Sequence, residues 1–336
     1  MIERALVVGL GSIGLRHLRL LREALPNVNI LVLRHSNCSD DILYGAQCTT
    51  SLNEACAFKP QVAIIASPAP FHINVAEVLA EEGVHLLIEK PLSDSQIRIE
   101  PFLEKCIKNN VIIQVAYNLR FLETLQAFRH EIQSGRIGKI LSVRCEIGQY
   151  LPGWRPEKDY RVAVSAQKKL GGGVLLELSH ELDMLRWVFG DIEWLSSWNG
   201  KISSLEIDVE DTAHLVLGFS KGAVGNLSMD FLRHDTTRCC TAIGELGTLR
   251  WDAVAGKLSL FTREKNTWEV LLQKTPDRDA TYREQISSFL KAVSNGQLAP
   301  EVSTVYDGLA ALNLVIAAKH SSDNAGQVTI VTEAVK

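Results

Sequence analysis

Short apolar runs alternate with helical patterns through the first third of the chain. Arg4–Gly9 has the composition of a buried strand, and Gly14–Ala24 places Leu15, Leu18, Leu21 and Ala24 at helical spacing. Asn29–Leu33, Gln61–Ala66, Val84–Ile88 and Val111–Ala116 continue the strand series, with helices predicted over His72–Glu82 and Ile97–Asn109. Strands separated by helices must pair in parallel, because each crossover returns the chain to the same end of the sheet. Their nearly unbroken apolar content means that both faces are covered. The pattern predicts a doubly wound sheet ending near Tyr117.

The pattern changes after Phe121. Leu122–Ser134 reads as a helix. In Lys139–Tyr150, Ile140, Ser142, Arg144 and Glu146 alternate with Leu141, Val143, Cys145 and Ile147, as in a sheet with one wet face. Further strands are predicted at Glu193–Trp198, Thr212–Phe219, Ala223–Phe231, Arg238–Gly244, Gly247–Trp251 and Lys257–Thr262, several separated by short turn signals. Helices at Leu175–Phe189, Tyr282–Asn295 and Val305–Lys319 are expected to cover one face. The fold class is α/β. A Rossmann-type doubly wound parallel sheet occupies residues 1–121. An α+β domain with an open, mostly antiparallel sheet occupies residues 122–336.

Length agrees with this division, since 336 residues exceed one ordinary core. A formal net charge of −4 offers no basic face for nucleic acid. Apolar runs are strand-sized, far short of the roughly 20 residues of a membrane span. The start runs straight into a strand pattern without the features of a signal peptide, so the expected compartment is the cytoplasm. Seven cysteines without metal-type spacing are expected to be reduced and mostly buried, and no metal is expected.

The first chemistry-bearing motif is Gly9-Leu10-Gly11-Ser12-Ile13-Gly14, a G-x-G-x-x-G between a strand and a helix. The first glycine permits a tight turn, the second lets the backbone approach a pyrophosphate, and the third lets helix and strand pack closely. Free N–H groups of the helix start, including Ser12 and Ile13, then face phosphate charge. About 20 residues on, an acid would bind a ribose 2′-hydroxyl. Here the strand ends in Leu33-Arg34-His35-Ser36, with no acid. Arg34 suits a 2′-phosphate and His35 and Ser36 can donate to it, which favours NADP over NAD. Alternatively, Arg34 is a solvated surface residue and either cofactor is accepted.

Three more segments stand in order along the chain. Ala66-Ser67-Pro68-Ala69-Pro70-Phe71-His72 follows the third predicted strand, and Glu89-Lys90-Pro91 follows the fourth. Gly171-Gly172-Gly173 opens a run through Glu177, His180 and Asp183. With the glycine motif, Val209-Glu210-Asp211-Thr212 and the Gly244–Trp251 turn, the chain resembles the glucose–fructose oxidoreductase / inositol dehydrogenase / MocA family over nearly its whole length. The resemblance implies hydride transfer between a nicotinamide and a carbinol carbon, commonly of a sugar, inositol or nucleotide-sugar. It implies that Lys90 is the catalytic lysine, His180 the catalytic histidine and Asp183 the acid that accompanies it. It groups Ser67, Pro68, His72, Glu89 and Lys90 with the cofactor, and implies a cis bond before Pro91. It also implies a homodimer or homotetramer formed through the C-terminal sheet.

The chemistry is also legible from the residues. Oxidising an alcohol removes a hydride and a proton, so a base must take the proton and a cation must steady the developing alkoxide. Histidine suits the first task and lysine the second. Lys90 ends a parallel strand, where ligands of such sheets bind. Glu177, His180 and Asp183 share a helical face by three-residue spacing. The chain departs from the family where an aspartate usually stands four residues before the histidine, since Leu176 occupies that place. Glu177, at minus three, is the candidate replacement, orienting His180 or a substrate hydroxyl, or capping a neighbouring group. Tyr117, Asn118 and Arg120 follow the fifth predicted strand and are expected at the substrate, Arg120 alternatively in an interdomain salt bridge. Trp154 and Arg155 suit a sugar ring bearing an anionic group, or else anchor their Gly/Pro-rich loop. Lys90 and His180, from separate domains, are expected to meet beside the nicotinamide. Two other readings use the same chain: transient oxidation driving elimination or hydrolysis of a glycoside, and a non-enzymatic NADP-binding regulator.

Overall fold

The apolar runs of the first third become β1 (Arg4–Val8), β2 (Asn29–Leu33), β3 (Gln47–Thr49), β4 (Val62–Ile65), β5 (His85–Ile88) and β6 (Ile113–Val115). Between them lie α1 (Ser12–Ala24), α2 (Leu52–Ala57), α3 (His72–Glu81) and α4 (Ile99–Lys108). The structure is a computed structural model that describes residues 2–35, 38 and 43–331, the side chain of residue 278 excepted. Every pairing in this sheet is parallel, and the strand order is β3-β2-β1-β4-β5-β6. The order reverses between β1 and β4, which makes their carboxyl ends the binding edge of such a fold. β3 was not expected, because three residues are too few to show a period.

The chain divides at 118/119, and Arg278–Leu309 belongs with the first unit. This differs from the expected division at 121/122, which gave everything after 122 to the second domain and placed the Tyr282–Asn295 helix over the second sheet. That helix, α8 (Arg278–Asn295), instead buries Ile286 and Phe289 among Leu18, Leu21, Ile30 and Leu87 of the first unit. Arg16 and Arg19 of α1 hold Asp279 at 3.1 and 2.5 Å.

The second unit contains α5 (Glu123–Gln133), β7 (Ile140–Gly148), α6 (Val174–Glu177), α7 (Ser179–Phe189), β8 (Ile192–Gly200), β9 (Thr212–Phe219) and β10 (Val224–Asp230). It continues with β11 (Thr237–Gly244), β12 (Gly247–Asp252), β13 (Lys257–Thr262), β14 (Thr267–Gln273) and β15 (Thr329–Ile330), while α9 (Val305–Asp323) starts in the first unit and ends in the second. The sheet order is β14-β13-β12-β11-β7-β10-β9-β8-β15, antiparallel except at β7–β10. The period-two pattern of β7 is realised from Val143 on: Val143, Cys145 and Ile147 are buried and Arg144 is exposed, whereas Leu141, expected on the buried face, is exposed. α5 packs against β12 to β14, and α6 against β9 and β10. Trp198, Val216, Val224 and Trp268 remain exposed. The expected Leu175–Phe189 helix is broken at Leu178 into α6 and α7.

Cysteine chemistry needs one correction. Cys38 and Cys48 form a disulfide, with Cα atoms 5.6 Å apart. The chain returns from β2 through β3, which the sequence pattern did not show, and this return brings the two thiols together. Five cysteines stay free, and burial pushes the thiols of Cys106 and Cys239 up to about 12. Among the described residues no helix is long and apolar enough to cross a membrane.

Candidate functional site

In the first unit the candidate site is built on the carboxyl ends of β1, β4 and β5. Gly9 leaves β1 at φ +86°, and a Cβ there would meet Ala66 O and Ser67 N at 2.8 Å. A Cβ on Gly14 would stand 2.1 Å from Gly9 O. These two positions are closed to side chains by the fold itself. Gly11 is different, since a Cβ there would meet nothing within 4 Å. The space over Gly11 is therefore open, as a pyrophosphate approach would require. Gly11 caps α1 without a side-chain bond, and no acid lies in the first turn. The leading N–H groups, among them those of the exposed Ser12 and the half-buried Ile13, therefore open toward an anion. Ser67 Oγ, at the end of β4, is shielded from solvent without a hydrogen-bond partner among the described residues. Such an orphaned hydroxyl is costly unless a ligand meets it. The residues present thus fit a dinucleotide.

Two buried histidines brace this edge. His72 is fully enclosed, with Nε2 2.6 Å from Ser67 O and Nδ1 3.0 Å from Pro91 O. It ties the Ser67-Pro68 loop to the turn after Lys90, which explains its place in the motif. Burial pushes its pKa below the usual histidine value, while the two carbonyls and the charge of Glu89 act against that shift. A neutral ring can donate to only one of these carbonyls. His17, on the buried stripe of α1 with Gly14, Leu18 and Leu21, holds Glu89 Oε1 at 2.7 Å. Glu89 Oε2 accepts from Lys90 N at 3.2 Å. Glu89 was expected at the cofactor, but it is buried, and the described contacts of its carboxylate lie within the protein. Its carboxylate links the end of β5 to the glycine-turn helix. Lys90 is half-buried, and the Lys90–Pro91 bond is cis, as the resemblance implied. Sequence reasoning missed His17, although a histidine inside an apolar helix stripe is a visible signal.

Arg34 leaves β2 half-buried with its N–H on Thr49 O at 2.9 Å, and His35 is exposed. Ser36 lies outside the described residues. Tyr117 is fully buried, and Asn118 Nδ2 donates to Thr281 Oγ1 at 2.9 Å.

In the second unit the Gly171–Gly173 turn feeds α6. A Cβ on Gly172 would stand 2.4 Å from Val164 O, and one on Gly173, at φ +105°, would stand 2.5 Å from Glu210 Oε1. Glu210 O also accepts from Val174 N at 3.0 Å, so the turn is shaped by Glu210 of the segment before β9. Leu176 points into the core, whereas Glu177 and His180 are half-buried on either side of the Leu178 break. Glu177 and His180 therefore do not share one continuous helix. His180 lies in the first turn of α7, which two acids anchor. Arg238 of β11 donates to the buried Glu181 at 2.8 Å. Arg120 donates to Asp183 through Nε at 2.9 Å and Nη2 at 2.5 Å.

Arg120 and Asp183 are 4% and 1% exposed, and Arg120 also lies over the Trp187 ring at 5.6 Å. The guanidinium, expected at the substrate or in a salt bridge, is engaged by a carboxylate of its own unit. Asp183, expected to accompany His180, is buried on α7 and paired with Arg120. Trp154 donates from its indole to Gln149 O at 3.0 Å and sits edge-on to Phe231, while Arg155 is exposed. These contacts make Trp154 a loop anchor.

A doubly wound sheet with a built dinucleotide turn and a braced lysine at a neighbouring strand end defines a nicotinamide-dependent oxidoreductase. The chain belongs to the glucose–fructose oxidoreductase / inositol dehydrogenase / MocA family. Residues 3–117 match the family model described as an oxidoreductase family with an NAD-binding Rossmann fold, and residues 125–250 match a C-terminal domain of the same family. It is similar to a levoglucosan dehydrogenase of Pseudarthrobacter phenanthrenivorans, 28% identical over 48% of this chain and 47% of that one. That match spans about half of the relative's length. It is 26% identical to a myo-inositol 2-dehydrogenase of Thermotoga maritima, covering 80% of this chain and 79% of the relative. The fold is shared with a levoglucosan dehydrogenase structure in complex with NADH and L-sorbose, with a TM-score of 0.86, 18% identity and 99% of each chain covered.

Proposed function

We propose that the protein interconverts a sugar-like alcohol and its ketone, with NADP preferred over NAD. One observation carries the reading: Lys90 is held at the binding edge by two buried braces, His72 to Ser67 and Pro91, and His17 to Glu89. A surface lysine would not require them. Bound nicotinamide supplies the hydride acceptor or donor. The ammonium of Lys90 steadies the negative charge that develops on the carbinol oxygen, and the imidazole of His180 takes the hydroxyl proton. Glu177 is the candidate for orienting His180. Asp183 positions its helix.

NADP preference is supported by the absence of an acid at the end of β2 and by Arg34 in its place. The relatives' activities on inositol and levoglucosan support a polyol or sugar substrate. Trp198, Val216, Val224 and Trp268 form an outward apolar surface that fits self-association through the second sheet. The test is turnover of inositols and sugars with NADP or NAD by Lys90→Met and His180→Asn variants. Each variant is expected to keep dinucleotide affinity and to lose about 10²–10⁴-fold in kcat. Undiminished turnover in either variant overturns its assignment.

A further inference from the structure

The return from β2 to β3 is not used by the glycine turn, by Lys90 or by their braces. β2 ends at Leu33, and the N–H of Arg34 is fixed to Thr49 O of β3. Cys48 of β3 pairs with Val32 of β2 and is joined to Cys38, ten positions earlier. The far side of this return has its own tether: Arg22 of α1 donates to Tyr44 O at 2.9 Å and to Gly45 O at 3.5 Å. The near side, just after Arg34 and His35, has the disulfide as its tie among the described residues. Arg34, Leu43 and Cys48 also line a cavity of about 20 Å³ together with Leu10 of the glycine turn. The disulfide-bearing strand and the glycine turn are therefore walls of one space.

We infer that the Cys38–Cys48 disulfide is a positioning element for the adenosine end of the dinucleotide. It ties Cys38 to Cys48 of β3, and its reduction weakens binding at that end. Freeing the ring adds conformations that binding must remove again, which raises the dissociation constant. The reductant is a dithiol. One of its thiolates attacks a sulfur of the pair, the S–S bond breaks and a mixed disulfide forms. The second thiol of the reductant displaces it, leaving Cys38 and Cys48 as thiols and the reductant oxidised to a disulfide. A disulfide of this kind in a reducing compartment is usually one that switches. The inference rests on the dinucleotide reading of the glycine turn and does not depend on the choice between NAD and NADP.

The test titrates ADP-ribose and 2′-phospho-ADP-ribose by calorimetry into the native protein, the dithiol-treated protein and a Cys38→Ser/Cys48→Ser variant. Denaturing alkylation is expected to label five cysteines in the native protein and all seven after reduction. Both ligands are expected to bind about threefold to tenfold more weakly once the bond is gone, with an unchanged circular-dichroism spectrum. Seven labelled cysteines in the native protein, or equal affinities before and after reduction, overturn the inference. The dithiol-treated sample keeps the test decisive should the variant fold poorly. An absence of preference for 2′-phospho-ADP-ribose in the native protein would refute the NADP reading alone and leave the redox comparison intact.

Discussion

Removing one member of the Arg120–Asp183 pair should cost far more than removing both. The two groups meet in a bidentate arrangement and are almost fully enclosed. Truncation of one partner strands a desolvated charge, and such losses run to about 3–5 kcal/mol. For a unit of this size each kcal/mol lowers the melting temperature by about 2–4 °C. Asp183→Leu or Arg120→Met alone should therefore lower it by about 6–20 °C. The combined Arg120→Met/Asp183→Leu protein replaces the pair with apolar bulk and should regain most of that loss, because neither charge is left unpaired.

Thermal and urea melts of the four proteins test the energetics, and steady-state kinetics test the role. If Asp183 acts by holding α7, the double variant should keep measurable turnover with an altered pH profile from a displaced His180, and unchanged dinucleotide affinity. Loss of about 10⁴-fold in kcat in a double variant of native stability would mean that the carboxylate itself takes part in the reaction. Additive destabilisation across the four proteins would refute the claim that the two groups form a buried pair.

The glycine turn offers a contrast between two alanines. Gly14→Ala drives a methyl into Gly9 O and should lower the melting temperature, whereas Gly11→Ala meets open space, should melt like the native protein and should bind dinucleotide about tenfold more weakly. Equal melts and equal affinities for the pair would contradict the reading of the turn. His72 gives a pH prediction. Its folded pKa is depressed by burial below about 6.5, so in acid the unfolded chain binds a proton that folded His72 refuses. Its contribution is intact above about pH 6.5 and is lost as pH falls from there toward the folded value. Melts between about pH 7 and pH 5 should decline more steeply for the native protein than for His72→Gln, and parallel curves would show that His72 does not carry the slope.

The strands and most helices were legible because their signal is local. β1 and β2 are runs of apolar residues, and α1 carries its stripe at 3.6-residue spacing. β3 and β15, of three and two residues, carry no period, and β14 (Thr267–Gln273) was also not expected. α8 was legible as a helix but not as part of the first unit, because its partners Leu18 and Leu21 lie far earlier in the chain. The break at Leu178 has neither glycine nor proline to mark it. What the sequence concealed throughout is the pairing of distant polar groups: His17 finds Glu89 across 72 positions, and Arg120 finds Asp183 across 63.

That concealment explains which site assignments changed. A motif shows that a residue type is required at a position, but two physical demands produce the same requirement. Lys90 and His180 are half-buried. Glu89 and Asp183 stand one and three positions away and are buried against a histidine and an arginine of the same unit. Breaking such an enclosed contact leaves a buried polar group without its partner, which is costly. The motifs therefore contain two kinds of member. The half-buried members are those proposed to carry the chemistry, and their enclosed neighbours hold the strand end and the helix on which those groups stand.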